Sequence, residues 1–372
     1  MKILSVIGAR PQFIKASPLS RALRRRHQEV LVHTGQHYDY GMSDVFFDEL
    51  GIPAPDHHLG IGSGRHGSQT GAMLAAVEAV LDRESPDAVL VYGDTNSTLA
   101  GALAAAKLQI PVAHVEAGLR SFNRAMPEEV NRVVADHLST WLFAPSSLAA
   151  GHLRREGITA GVHVVGDVMV DAMELHRERA QARSGVLARF SVGPRRYYAA
   201  TVHRAENTDD PVRLQAIFDA FGRLEHPVLL PMHPRTRKRV EELSLAVAGN
   251  VRVLEPLGYL DMIAVLASAT CLLTDSGGMQ KEAYYLGVPC VTMRDETEWV
   301  ETVDAGWNTV AGADTARIVR AVRAHTGEKR ERPALYGDGR TAERIVEILS
   351  QPIAGRREDR DDGGGDPEGR RR

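Results

Sequence analysis

A Ser-Gly-Gly turn between an apolar run and an amphipathic segment has the residue types that hold a phosphate. A buried strand is predicted just before Ser276, Gly277 and Gly278, and a helix over 279–286 follows. Two glycines let the backbone approach a ligand closely, and a helix N-terminus presents free N–H groups and a positive dipole end. The turn therefore suits a pyrophosphate, with Glu282 placed to accept hydrogen bonds from a ribose diol. An ordinary serine N-cap is the alternative explanation.

The segment that follows the first predicted strand repeats this arrangement with basic side chains. Pro11 suits the first position of a helix, so Arg10 and Lys15 would flank the same helix mouth. A guanidinium is a fork-shaped donor and an ammonium is a point charge, and both bind phosphate. Solvated surface charge is the alternative for both residues.

Three carboxylates and two histidines stand directly after predicted strands or at a predicted helix start. Asp94 and Glu116 each end an apolar run, Glu128 opens a helix, and His203 and His233 follow strands of the second half. An aspartate N-cap, a first-turn glutamate and a structural histidine are the alternatives. Taken jointly, carboxylates at successive strand or helix mouths indicate general acid–base chemistry.

Other chemistries lack their sequence patterns. The histidines show no zinc-ligand spacing, so we expect no metal site. No serine nucleophile elbow is present either. The string Gly62, Gly64, Gly67 follows no convincing first strand and has no acidic residue at the end of a second one. We interpret this string as a flexible loop rather than as an NAD site.

The elements that must position these residues form two series. Short β-branched runs alternate with longer Ala- and Leu-rich segments, which predicts βαβ units and parallel sheets. Open α/β sheets bind ligands at the carboxyl ends of their strands, where the polar clusters fall. The predicted strands cover 3–7, 30–33, 88–92, 112–115, 141–144 and 163–165, then 197–202, 228–232, 251–254, 270–274 and 290–293. The predicted helices include 18–26, 69–81, 98–107 and 128–138.

Length and composition suit a globular protein of two ordinary domains and give no sign of nucleic-acid or membrane binding. We expect Rossmann-like domains over 1–175 and 176–355, and a disordered tail over 356–372 that is almost wholly Arg, Asp, Glu and Gly. The net charge of -3 gives no basic field for nucleic acid or a membrane surface. No signal peptide or long apolar run is present, so we expect a cytoplasmic protein. Cys271 and Cys290 lie in apolar runs and are expected to be small buried hydrophobes.

As a set, these motifs resemble the non-hydrolysing UDP-N-acetylglucosamine 2-epimerase family. The resemblance runs from Gly8-Ala9-Arg10-Pro11 to about Gly312. It rests on Gly93-Asp94-Thr95, the run from His114 to Arg120, Pro127-Glu128-Glu129 with Asn131-Arg132, Val165-Gly166-Asp167, His203-Arg204, and the run from Thr274 to Gly278.

The resemblance implies a GT-B arrangement, in which two Rossmann-like domains face a central cleft, a homodimer and no cofactor. It implies that Asp94, Glu116 and Glu128 are the acid–base carboxylates, with His203 near the diphosphate. It assigns the nucleotide to a set of residues on both domains: Arg10, Lys15, Arg132, Ser276, Gly277, Gly278 and Glu282. The implied reaction is anti elimination of UDP to a 2-acetamidoglucal, followed by re-addition with the C2 proton delivered to the opposite face. Which carboxylate is the base and which the acid stays open.

The chain departs from the family pattern at several positions. It has Ala205 and Asn207 in the stretch after His203, and Trp299 at a position where the family carries a sugar-contacting arginine. The stretches 36–47 and 60–69 lack most of the pattern of a regulatory sugar-nucleotide site. These features resemble the branch that epimerises UDP-2,3-diacetamido-2,3-dideoxyglucuronate. A GT-B glycosyltransferase, a hydrolysing epimerase and a non-catalytic sugar-nucleotide sensor are the other functions considered.

Overall fold

The computed structural model of the chain describes residues 1–36, 47, 49–183, 185–326 and 331–352. The tail 356–372, for which disorder is predicted, lies outside the described residues, and so does most of the stretch 36–47.

The first sheet is fully parallel and has the order β3-β2-β1-β4-β5-β6-β7. Helices cover both of its faces, which explains why central strands such as β4 are continuous apolar runs with every residue buried. Its strands are β1 Lys2–Ile7, β2 Gln28–His33, β3 His57–His58, β4 Ala88–Tyr92, β5 Val112–Val115, β6 Trp141–Ala144 and β7 Val162–Val164. The helices between and after them are α1 Arg10–Leu23, α2 His66–Glu84, α3 Asn96–Lys107, α4 Pro127–Leu138, α5 Ser147–Arg155 and α6 Val168–Arg183.

The second sheet is also parallel and has the order β10-β9-β8-β11-β12-β13. Counted within the sheet this is 3-2-1-4-5-6, the order of a dinucleotide-binding Rossmann domain. Its strands are β8 Tyr198–Thr201, β9 Val228–Pro231, β10 Val251–Leu254, β11 Leu272–Thr274, β12 Cys290–Thr292 and β13 Asn308–Val310. The helices of this half are α7 Val186–Arg189, α8 Ala205–Thr208, α9 Pro211–Gly222, α10 Pro234–Glu242, α11 Tyr259–Ala267, α12 Gly277–Tyr285, α13 Val300–Asp304, α14 Thr315–His325 and α15 Thr341–Leu349.

Two helices join the halves. Helix α6 leaves the first sheet and packs against both α1 and α11, and the last helix, α15, returns to pack against α1 and α6. The carboxyl ends of both sheets therefore face one cleft. The predicted α/β fold with two Rossmann-like domains around a central cleft is confirmed.

Several element boundaries differ from the prediction. Helix α1 begins at Arg10 rather than at residue 18, and it contains Pro18. The sequence does show Pro11 at the start of this helix, but Pro18 suggests a second, later start. Strands β3 and β13 were not predicted, because two or three residues are too short to show a period. Gly67 lies in α2, so the loop predicted there ends at Arg65.

Candidate active site

The cleft between the two sheets holds a cavity of about 720 Å³. Every residue that the sequence suggested for the site lines this cavity. They are Arg10, Lys15, Asp94, Glu116, Glu128, Arg132, His203, His233, Ser276, Gly277, Gly278 and Glu282. The structure thus brings together residues that are up to 272 positions apart in the chain, from Arg10 to Glu282.

The Ser-Gly-Gly turn is the start of α12. Ser276 is the N-cap, and its hydroxyl accepts a hydrogen bond from the Met279 N–H at 3.5 Å, so the capping role that was one alternative is present. The first N–H groups of a helix have no partner within the helix, and here those of Gly277 and Gly278 begin it. A Cβ at Gly278 would meet no atom within 4 Å, which leaves space for a ligand next to this backbone. This geometry is suited to an anion.

Glu282 lies on the next turn of α12, opposite Arg10 at the start of α1. Burial in the cleft raises the pKa of Glu282 to about 7, although Arg10 and Lys281 favour its charged form. Burial also lowers the pKa of Arg10, which Glu282 and Glu49 oppose. The two side chains therefore compensate each other across the cleft.

Glu116 is held between two lysines at the end of β5. Its Oε2 accepts a hydrogen bond from Lys15 on α1, and its Oε1 accepts one from Lys281 on α12 at 3.1 Å. Burial opposes ionisation of this carboxyl, but Lys15 and Lys281 outweigh it and hold the pKa of Glu116 well below its usual range. Lys15 was expected to face a phosphate; its ammonium contacts Glu116 instead, and its role towards a ligand stays a prediction.

Lys281 joins a cluster that sequence reasoning did not assign to the site. It donates to Asp167, which also accepts a hydrogen bond from the Tyr285 hydroxyl at 2.7 Å. The Lys281 ammonium lies 4.1 Å from the centre of the Trp299 ring. Two weak features of the sequence could have pointed to these residues. Lys281 directly precedes Glu282, and Asp167 ends a motif of the resemblance to which no role was given.

Asp94 stands between β4 and α3 and pairs with Arg132 on α4. Its side chain is not the N-cap of α3, because Thr95 takes that position. Arg132 also pairs with Glu129 at 2.9 Å. Burial disfavours the charge on Arg132, but Asp94 and Glu129 outweigh this and raise its pKa. Arg132 was expected to hold the nucleotide. In the structure its guanidinium pairs with Asp94 and Glu129, and its contact with a nucleotide stays a prediction.

Glu128 lies in the first turn of α4, where the helix dipole favours an acid. It is exposed to the cavity, and it forms no ion pair with any residue that the structure describes. Among the three carboxylates it is therefore the one that a ligand can reach most directly.

The two histidines lie on the second sheet's side of the cleft. The His203 backbone N–H donates to Asp275 at 3.0 Å, and its ring Nδ1 lies 3.3 Å from the same carboxylate. Burial lowers the pKa of His203, and Asp275 partly offsets this. His233 caps α10, since its Nδ1 accepts the Arg235 N–H at 3.2 Å. His233 thus has a structural role in addition to lining the cavity.

Two features of the described residues bear on the kind of site. Within the described ranges, no group of three or more His, Cys, Asp or Glu side chains is arranged as a metal site. None of the helices in those ranges combines the length and apolar character needed to cross a membrane.

Known proteins match nearly the whole chain. The family model described as UDP-N-acetylglucosamine 2-epimerase matches residues 21–350. The UDP-2,3-diacetamido-2,3-dideoxy-D-glucuronate 2-epimerase of Pseudomonas aeruginosa is 50% identical over 94% of this chain and 100% of its own length. The UDP-N-acetylglucosamine 2-epimerase of Methanocaldococcus jannaschii is 45% identical over 94% of this chain and 99% of its own. The crystal structure of that archaeal enzyme in complex with UDP-GlcNAc and UDP superposes with a TM-score of 0.85 at 45% identity, covering 94% of this chain and 99% of the other.

Proposed function

This chain belongs to the UDP-N-acetylglucosamine 2-epimerase family, and from that premise we propose that it converts UDP-N-acetylglucosamine to UDP-N-acetylmannosamine without hydrolysis, NAD or a metal. One observation carries the proposal. A single cavity joins the carboxylates Asp94, Glu116 and Glu128 of the first domain to the anion-binding start of α12 in the second. A sugar nucleotide has the same two ends, a diphosphate and a reacting carbon.

The proposed reaction is an elimination followed by an addition. A base removes the C2 proton while the bond between C1 and the phosphate oxygen breaks, which leaves a 2-acetamidoglucal and UDP. The same phosphate oxygen then attacks C1, and an acid delivers a proton to the opposite face of C2. The electron pair of the C2–H bond becomes the double bond and later takes up the new proton.

The surroundings of the carboxylates suggest their roles. Glu116 lies between two ammonium groups, so it is present as a carboxylate and suits the base. Glu128 carries no such partner among the described residues and faces the open cavity, which suits the acid. We therefore assign the base to Glu116 and the acid to Glu128.

The departing UDP gains negative charge as the C1–O bond breaks. The N–H groups at the start of α12 and the Arg10 guanidinium line the same part of the cavity and would stabilise that charge. Closure of the two domains over the ligand would keep water away from the reactive glucal.

The 2,3-diacetamido uronate is a second candidate substrate. The Pseudomonas aeruginosa enzyme named for that substrate is 50% identical to this chain. Trp299 lines the cavity at a position where the N-acetylglucosamine pattern has an arginine. Both substrates require the same inversion at C2, so the choice concerns the sugar and not the chemistry.

Proton NMR of the purified protein with UDP-N-acetylglucosamine in D2O tests the proposal. We expect signals of UDP-N-acetylmannosamine and loss of the C2 proton signal as deuterium replaces it. We expect Glu116→Gln to abolish both changes. Free UDP and N-acetylmannosamine would instead indicate a hydrolysing enzyme. Turnover of the diacetamido uronate alone would retain the mechanism and change the substrate. Inertness towards both sugars would refute the epimerase and favour an acceptor-dependent transferase. Sedimentation velocity tests the homodimer, which we also propose.

A further inference from the structure

Helix α12 contacts both ends of the cleft. Its first residues form the anion-binding mouth, and Lys281, one turn further on, crosses to the opposite domain. There the Lys281 ammonium donates to Glu116 at 3.1 Å and to Asp167. The side chains of all three are almost sealed from solvent, with exposed fractions of 6%, 9% and 1% for Lys281, Glu116 and Asp167.

Glu116 is held by contacts from both domains. Its backbone has a φ of +74°, in the left-handed region that is strained for a non-glycine residue. Its two carboxylate oxygens are each taken by a different ammonium, Oε2 by Lys15 and Oε1 by Lys281. Lys15 belongs to the same domain as Glu116, whereas Lys281 belongs to the other. One of the two supports therefore depends on how the domains are placed.

Asp167 connects this pair to the link between the domains. It lies in the short segment between β7, which ends at Val164, and α6, the helix that leaves the first sheet and begins at Val168. Its carboxylate accepts hydrogen bonds from both Lys281 and Tyr285, which lie one turn apart on α12. Helix α12 is thus anchored to the start of the linking helix at the same point from which Lys281 reaches Glu116.

We propose that Lys281 is a positioning residue for proton transfer at C2: it orients Glu116 from the opposite domain and ties that orientation to the helix that receives the diphosphate. The inference rests on the proposed function, because it assigns a role within that reaction. Binding of the diphosphate at the start of α12 would set the position of Lys281, and through it the position of the base. Elimination would then occur only in a cleft that already holds the leaving group.

Loss of Lys281 has a defined electrostatic consequence. Among the described residues, the charged or titratable groups that face Glu116 are Lys15 from α1, Lys281 and Tyr285 from α12, Arg132 from α4, and Asp167 before α6, whose carboxylate shares the Lys281 ammonium. Removing one of two adjacent ammonium groups raises the pKa of Glu116, and a base is inactive when protonated. The acid limb of the kcat profile should therefore move to higher pH, by about one unit for the loss of one opposite charge at hydrogen-bond distance.

Lys281→Met by itself would leave Asp167 buried without its cation and could unfold the protein. The informative variant is therefore Lys281→Met combined with Asp167→Asn, which removes the cation and the orphaned charge together. Asp167→Asn alone is the matched control, because it retains the contact between Lys281 and Glu116. Lys238→Met is the control for loss of a lysine, since the Lys238 side chain is 77% exposed.

We expect kcat of the double variant to fall about tenfold relative to Asp167→Asn, while KM changes less than about threefold. Its acid limb should move up in pH, and Lys281→Arg, which keeps the charge, should retain the acid limb of the wild type. Equal kcat and the same acid limb in the double variant and in Asp167→Asn would overturn the inference and make the contact merely structural.

A second measurement does not depend on turnover. Carbon-13 NMR of protein labelled at the glutamate side-chain carboxyls follows Glu116 through the signal that Glu116→Gln removes. The titration midpoint should be about one pH unit higher in the double variant than in Asp167→Asn. An identical midpoint would overturn the inference. If the wild type turns over neither sugar, the proposed function fails, and this titration still decides whether Lys281 governs Glu116.

Discussion

Replacing Glu282 by glutamine should remove a loss of stability that the wild type shows on going from mildly acidic to mildly basic pH. Burial in the cleft raises the pKa of Glu282 from 4.5 to about 7, against the opposing effect of Arg10 and Lys281. The folded protein therefore binds a proton that the unfolded chain has already released. For a raised folded-state pKa, the stabilising contribution is complete below the unfolded pKa and is lost as the pH rises through the folded pKa.

The size of the effect follows from the same shift. The difference between 4.5 and about 7 corresponds to roughly 3 kcal/mol at 1.36 kcal/mol per unit. Glu282 lines an open cavity and is only partly buried, so water screens its charge. We therefore expect the wild type to lose about 1–2 kcal/mol relative to Glu282→Gln between pH 5 and pH 8.

Urea unfolding at pH 5 and pH 8, followed by tryptophan fluorescence, measures this difference directly. The two proteins should be closest in stability at pH 5, and Glu282→Gln should be the more stable at pH 8. Glu78→Gln is the control, because Glu78 is exposed on α2 and its replacement should leave the pH dependence of the wild type. Parallel curves for the wild type and Glu282→Gln would refute the reasoning and show that Glu282 is already ionised at pH 5.

Three further predictions concern the site and its supports. Glu116→Gln should lower deuterium exchange at C2 by roughly a hundredfold or more, with little change in the Kd for UDP measured by calorimetry. Asp136→Asn should cost about 3 kcal/mol in urea unfolding, the low end for a broken buried ion pair, because Arg120 keeps a second carboxylate. Gly8→Ala should cost about 1–3 kcal/mol in the same assay, since its Cβ would lie 2.0 Å from the Thr34 hydroxyl.

The location of the site could be predicted because parallel strands end at one edge of a sheet. Asp94 follows β4 and Glu116 follows β5, and these strands are direct neighbours, with Tyr92 opposite Val115. Two carboxylates that stand 22 positions apart in sequence are therefore adjacent in space. The same rule placed Ser276 and His203, because β11 and β8 are also paired.

The contacts within the site could not be predicted, because they depend on how the two sheets face each other. Nothing in the pattern around Lys281 indicates that it reaches Glu116, 165 positions away and in the other domain. Lys15 suggested a phosphate ligand, since an ammonium group at a helix mouth can bind phosphate as a point charge, and no local pattern indicates its partner Glu116. The packing of α15 against α1 could not be predicted for the same reason. An apolar helix face shows that another element covers it, but does not show which one.

These contacts change the account of how a chain with net charge -3 would bind a dianionic ligand. Lys15 and Lys281 pair with Glu116, and Arg132 pairs with Asp94, so these three cations first orient acid–base groups. The diphosphate would then depend more on the backbone N–H groups at the start of α12 than on ammonium groups. In such an arrangement the diphosphate and the acid–base carboxylates do not compete for the same cations, while α12, which carries both the anion-binding N–H groups and Lys281, still couples the two ends of the cleft.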